Sequence, residues 1–346
     1  MNWPMKKSLI LFLPLFAACG DSPSSPETPE TPDLPESIAP PSQAALLEHL
    51  NFLAADSLHG RRAGSQYEHQ AADYIRDEFV DLGLFPGTAG YFQTFDPGPV
   101  DGQTGLSSRN VLGVLPGQGA LAGQWVIVGA HYDHLGFTRV GDSNTVYNGA
   151  DDNASGTALM LEVARVLDAY AEAEGADGAD RRSIMFQAYG AEEVGLVGSF
   201  YFCRWPTVDR DSIVAMVNMD MVGRLWDNSL GLIGLGSSTD WVSVVLGANR
   251  ESLELEIVTG LLHRSDQYCF YQNDKPVLFL HTGLHSDYHT PYDDVEYLNL
   301  PGMVSVGNFA IGVLLDLALR SEPLVFTGEP VSSRASPGAI DLANRP

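Results

Sequence analysis

The amino-acid sequence predicts an α/β fold of three layers, α/β/α, with helices covering both faces of a mixed, mostly parallel central sheet. Apolar runs of strand length occur at Asn110–Leu115, Trp125–Ala130, Ser183–Tyr189, Ile213–Met219 and Pro276–His281. Such near-continuous runs belong to strands buried on both faces rather than to half-solvated ones. Segments of helical periodicity fall between and after them, at Ala154–Tyr170, Asp240–Asn249 and Met303–Leu319, and that alternation is the mark of a layered α/β sheet. With 346 residues, 45% hydrophobic and 18% charged, the chain can bury one large core.

From the N-terminus, residues 1–18 have the order of a secretory signal peptide: Lys6-Lys7, an apolar run from Leu9 to Phe16, then Ala17-Ala18. The run is too short to span a membrane as a helix. Leu-Phe-Ala-Ala-Cys19 resembles a lipobox, with Phe16 where an aliphatic residue is preferred, and so implies a lipid anchor through Cys19. Gly20, in place of an aspartate, points to the outer membrane. Residues 19–43 form a Pro-rich tether unable to build a core. The globular domain is expected over 44–320, opening with Leu46, Leu47, Leu50 and Leu53 at helical spacing and a second amphipathic stretch at Ala71–Leu82. Met303–Leu319 is interrupted by Asn308, Gly312 and Asp316, which favours a buried packing helix over a membrane span. The residues from 321 to 346, rich in Pro, Ser and Gly, are expected to be loosely ordered. Cys203 and Cys269 could pair or stay free in an oxidising compartment. The formal net charge of -25 excludes nucleic acid as a partner, because phosphates need a basic surface; the acidity itself reads as solubility.

Polar residues gather where the strands end. The strand from Trp125 leads into His131-Tyr-Asp133-His134, a neutral-imidazole ligand with a carboxylate two residues on that can orient it. Asn148-Gly-Ala-Asp151-Asp152-Asn153-Ala-Ser-Gly156 precedes a helix. One acid there is explained as a cap, but adjacent carboxylates beside a strand-end histidine call for a cation. Ser183–Tyr189 runs into Glu192-Glu193, an arrangement suited to one metal ligand and one proton acceptor. Asp220 sits in the apolar context Asn218-Met-Asp-Met221, where an unpaired charge is expensive to bury. Last come His281, His285, Tyr288 and His289, where Gly283 and Pro291 argue for a loop that lets one histidine reach the site.

In this order the motifs resemble the zinc-dependent exopeptidase family that includes the secreted bacterial leucyl aminopeptidases. The resemblance extends from about Leu46 through Gly60-Arg-Arg-Ala-Gly64 to about Leu319. It implies a zinc-exopeptidase, phosphorylase/hydrolase-like fold and two Zn2+ ions. His131 and Asp220 would hold one ion, Glu193 and His289 the other, and Asp152 would bridge them. Glu192 would be the general base, Asp133 the partner of His131, and Tyr288 a hydrogen-bond donor to the oxyanion. The resemblance also makes Asp152-Asn153 a candidate cis peptide. Gln267 departs from the family's Ser-Asp-His pattern, which puts in doubt a substrate or supporting role for that position. The activity implied is hydrolysis of peptide or protein substrates, as an aminopeptidase releasing N-terminal residues. Carboxypeptidase-like or dipeptidase-like activity is the alternative. A metal-free binding ectodomain on the same fold is the rival from another class, distinguished by missing ligands. Oligomeric state, membrane face and native metal are not readable from the residues.

Overall fold

The computed structural model describes residues 34–140, 143–175, 178–258 and 262–328. The signal-like residues 1–18, Cys19 and most of the tether lie outside them, as does the tail from 329. In chain order the elements are α1 (Gln43–Leu53), α2 (Gln66–Asp81), β1 (Phe85–Pro86), β2 (Phe92–Phe95), β3 (Ser108–Leu115) and β4 (Trp125–His131). Then come β5 (Gly136–Val140), β6 (Ser143–Tyr147), α3 (Gly156–Glu174), β7 (Ser183–Tyr189), α4 (Val197–Arg204), β8 (Ile213–Met219) and β9 (Ser229–Ile233). The chain continues through α5 (Trp241–Ala248), β10 (Glu254–Ile257), α6 (Gln267–Gln272), β11 (Val277–His281) and α7 (Leu300–Leu319).

The main sheet runs β1-β3-β7-β4-β8-β11-β9-β10, with β2 also paired to β3. Its centre, β7-β4-β8-β11, is parallel, and β3 and β9 flank that centre antiparallel. The central strands therefore deliver their carboxyl ends side by side at one edge, where open α/β sheets collect ligands. One face packs Val126, Val128, Phe186, Val217 and Leu280 under α1, α2, α3, α5 and α7. The other face packs Ile127, Met185 and Met216 against Phe202 of α4 and Phe270 of α6. These are the two helical layers that the sequence predicts.

Local chemistry sets the helix starts. Ser42 accepts the N–H of Ala45, Ser65 that of Glu68, and Asn299 that of Gly302, each cap contributing about 1 kcal/mol. Helix α7 is long and apolar enough to cross a membrane, but 72% of its apolar window is buried in the protein, so it is a packing helix. Residues 321–328 also contact the body: Thr327 donates its N–H to the carbonyl of Ser237 at 2.8 Å.

Cys203 and Cys269 form a disulfide that joins α4 to α6 across a sequence separation of 66. Closing a loop of that length removes about 4 kcal/mol of unfolded-state entropy on the chain-entropy account. Replacing both cysteines by serine is expected to lower the melting temperature by several degrees in differential scanning calorimetry, while an unchanged melting temperature would show the crosslink to be energetically idle.

Candidate active site

Four neighbouring strands bring four side chains to one edge. β7 leads to Glu193, β4 ends at His131, β8 is followed by Asp220, and the loop after β11 carries His289. Asp152 arrives from the turn that enters α3. Nε2 of His131 stands 3.2 Å from Oδ1 of Asp152 and 3.5 Å from Oδ1 of Asp220. Nε2 of His289 stands 3.0 Å from Oδ2 of Asp152 and 3.3 Å from Oε2 of Glu193. Donor atoms bound to one tetrahedral zinc at about 2.0–2.1 Å lie about 3.3 Å apart, so the imidazole–carboxylate spacings on both sides are those of a metal shell. Asp152 presents one oxygen to each.

Among the described residues, two groups have metal-holding proximity: His131, Asp152 and Asp220, and His134, Asp152 and Glu193. His134 has no role in the ligand set that the sequence motifs imply. Its Nδ1 lies 2.7 Å from Oε1 of Glu193 but 3.8 Å from Oδ2 of Asp152. That is a hydrogen bond orienting Glu193, whereas His289 has shell spacing to both carboxylates. A histidine three residues past a strand-end ligand was the only sequence signal for it.

The turns carrying these groups are stitched to one another by buried polar side chains. Asn153 donates to the carbonyl of Met219 at 3.0 Å and accepts the N–H of Met221 at 3.2 Å, tying the Asp152 turn to the Asp220 turn. The Asp152–Asn153 peptide is cis. Asp293 accepts the N–H groups of Asp151 and Asp152 at 3.0 Å and is itself paired with Arg224 at 3.2 Å. Asp133 accepts the N–H of Glu192 at 2.9 Å and of Glu193 at 3.3 Å, so its carboxylate braces the turn of the two glutamates. Nδ1 of His131 is 3.2 Å from the backbone carbonyl of Asp133 and 3.9 Å from its carboxylate. The ring nitrogen thus bonds the Asp133 carbonyl, and the Asp133 carboxylate stays within ion-pair distance of it. Gly149, at φ 57°, is confined to glycine because a Cβ there would meet the carbonyl of Asp152 at 2.2 Å and the ring of His134 at 2.5 Å.

The other two histidines of the last motif stay outside the cage: His281 Nδ1 bonds the carbonyl of Asp220 at 3.0 Å, and His285 Nε2 lies 3.2 Å from Oδ2 of Asp151. Gln267 is buried, accepting from Asn218 at 3.0 Å and donating to Leu262 at 2.9 Å, which is a core role.

The carboxylates and imidazoles of this cluster shift one another strongly. Burial opposes charge on His131, yet Glu192, Asp220 and Asp152 together raise it well above 6.5. Burial also opposes charge on His289, but Asp152 and Glu193 raise it to about 10. Burial alone would raise Asp152, and the two imidazoles instead pull it well below the ordinary carboxylate range. Carboxylates crowded around two imidazole nitrogens make both positions favour positive charge, so the donor set fits divalent metal. Glu192 lies in the pocket beside the cage, and burial followed by the nearby Glu193, Asp266 and Asp220 pushes it well above 4.5. A carboxylate held above its ordinary range is a stronger proton acceptor than a free one. Tyr288 stacks on His289 with centroids 3.8 Å apart, and burial keeps its phenol protonated well above the ordinary value. The pocket has a volume of about 580 Å³, and Leu196, Met221, Phe279 and Arg264 are among the residues that line it.

Residues 110–314, more than half of the chain, match the model of peptidase family M28. The chain is 26% identical over 250 residues to Aminopeptidase YwaD of Bacillus subtilis, covering 67% of this chain and 50% of that protein. It is 29% identical over 233 residues to Leucine aminopeptidase 1 of Paracoccidioides brasiliensis, covering 61% and 56%. The chain thus spans about half the length of these curated relatives. A solved zinc aminopeptidase from Bacillus subtilis, BSAP, superposes with a TM-score of 0.63 at 18% identity, covering 84% of this chain and 97% of that one, which establishes the shared fold. The matched segment holds β4, β7, β8 and β11 together with every donor of both trios, and with that extent the chain belongs to peptidase family M28.

Proposed function

We propose that the chain is a dizinc metallopeptidase acting on peptide or protein substrates as an aminopeptidase. The observation that carries this is the two-sided carboxylate of Asp152, one oxygen in each of two donor trios with the spacing of zinc shells. His131 and Asp220 would hold one ion and Glu193 and His289 the other, with His134 fixing Glu193. Bound zinc supplies a water acidified to a pKa of about 7 and polarises the substrate carbonyl.

The chain's own residues do the rest. Glu192, poised by its raised pKa, takes the proton of the attacking water and returns it to the leaving amine. Tyr288 donates its phenolic hydrogen to the carbonyl oxygen as negative charge develops there. Asp133 holds the backbone of both glutamates, so the base and the neighbouring ligand keep a fixed relation. Leu196, Met221 and Phe279 give the pocket an apolar wall for a substrate side chain. The aminopeptidase preference is supported by the names of the relatives. The order of residues 1–18, Cys19 and the disulfide support an exported, lipid-anchored enzyme of the cell envelope.

Two measurements on one preparation test the reading: a zinc count per chain, and hydrolysis of free against N-acetylated aminoacyl amides. Two zinc ions and cleavage of the unblocked series alone are expected. Cleavage of the acetylated series would remove the aminopeptidase reading, because a blocked amine is no free N-terminus, and a chain that takes up no zinc would remove the metallopeptidase altogether.

A further inference from the structure

Arg61 is fully buried, and the catalytic proposal leaves it without a part. It lies in Gly60-Arg-Arg-Ala-Gly64, far in sequence from every zinc-ligand candidate. Its Nε donates to the carbonyl of Tyr132 at 2.7 Å. Nη1 donates to the carbonyl of Asn148 at 2.7 Å and to that of Leu53, and Nη2 to the carbonyl of Gly149 at 3.0 Å. Its own carbonyl accepts the N–H of His134 at 3.2 Å.

Tyr132 is the residue between His131 and Asp133, and Asn148-Gly149 begin the turn that ends at Asp152. One guanidinium therefore grips both turns that carry the shared pair His131 and Asp152. The backbone of Arg61 is left-handed, at φ 45°, a conformation that disfavours a long side chain unless that side chain is needed. Burial lowers Arg61 to about 10, with Asp133, Asp152, Asp293 and Glu193 holding it up, so it is charged at neutral pH. The opposite side of the Asp152 turn is gripped through its N–H groups by Asp293. Carbonyls pulled one way by a cation and amides the other way by an anion leave the turn little freedom.

We propose that Arg61 is a positioning residue that sets the separation of the His131 and Asp152 turns, and so the zinc affinity of the cage, through the planar fork of its guanidinium. The inference rests on the dizinc reading above. A lysine keeps the charge but cannot serve four separated carbonyl groups with a rigid fork. Zinc affinity belongs to the folded cage, whereas the loss of any buried arginine lowers stability, so the two effects separate against a control. Arg182 is that control: equally buried, it bonds Gln124 and the carbonyls of Leu317 and Arg320 at the start of β7, the end opposite the cage.

The experiment titrates zinc against a chromophoric chelator for the full chain and for Arg61→Met, Arg61→Lys and Arg182→Met, with the melting temperature of each metal-free protein. Both Arg61 variants are expected to bind zinc at least tenfold more weakly than wild type, the lysine variant included. Arg182→Met should melt lower yet bind zinc within threefold of wild type. Arg61 variants that bind within threefold of wild type, or that lose no more affinity than Arg182→Met, overturn the proposal. So does failure of both Arg61 variants to fold even in saturating zinc, which would assign the residue to the core. A wild-type chain that takes up no zinc would instead sink the dizinc reading beneath it.

Discussion

Replacing Glu192 by Gln is expected to lower kcat on the order of 10³-fold while the zinc content stays that of wild type. The amide has nearly the same shape but cannot accept and return a proton. Glu192 is in neither donor trio, so the loss should fall on turnover alone. In free-energy terms this is about 4 kcal/mol of transition-state stabilisation. Steady-state kinetics on an unblocked aminoacyl amide, paired with a metal count, reads both quantities. A variant turning over within tenfold of wild type would remove Glu192 as the base.

Asp152→Asn should have the largest effect on metal. Each of the other donors serves one trio, but Asp152 gives Oδ1 to the His131 side and Oδ2 to the His289 side. An amide offers one oxygen and no charge, so one trio loses a donor outright and both lose half-shares of an anion. Zinc affinity is expected to fall by more than about 100-fold, beyond the 10–100-fold typical of disturbing only an outer partner. Asp220→Asn should weaken one ion and spare the other. Chelator competition distinguishes the two, and an Asp152→Asn protein that still holds two zinc ions tightly would refute the bridging role. Because metal bound to the native state adds RT ln(1 + [L]/Kd) to stability, about 2.7 kcal/mol at one hundred times Kd, the variant should also lose the stabilisation that zinc confers on wild type.

The parallel centre of the sheet was legible because Val126-Ile-Val-Gly-Ala130, Ile184-Met-Phe-Gln-Ala188 and Val214-Ala-Met-Val217 are apolar enough to be buried on both faces. The edges were not. β9 and β10 are short, and β5 and β6 form a separate hairpin; their sequences carry no run long enough to stand out from loop. The antiparallel setting of β3 was equally hidden, since periodicity reports burial and is blind to direction. Helix α7 was read as buried from Asn308, Gly312 and Asp316, and it packs over α1, α3 and α5.

At the site, the acids and histidines were visible where apolar runs end, because charge next to a buried strand needs a reason. Their supporting residues were not. His134 bonds a residue 59 positions away, Asn153 ties to Met221 across 68, and Arg61 reaches Gly149 across 88. No local pattern encodes such pairs. Asp133 shows the same limit: its spacing from His131 suggested a carboxylate for the imidazole, and the fold keeps that carboxylate 3.9 Å from the ring while its hydrogen bonds go to the amides of Glu192 and Glu193.

By itself the sequence determined the layer architecture, the strand ends that bear chemistry and the residue types assembled there, since burial and charge are properties of short stretches of chain. Only the tertiary structure decided which oxygen of Asp152 faces which imidazole, that His134 and Asp133 brace the glutamates, and that Arg61 lies beneath two ligand turns. Those are distances between segments far apart in sequence, and packing of the whole sheet sets them.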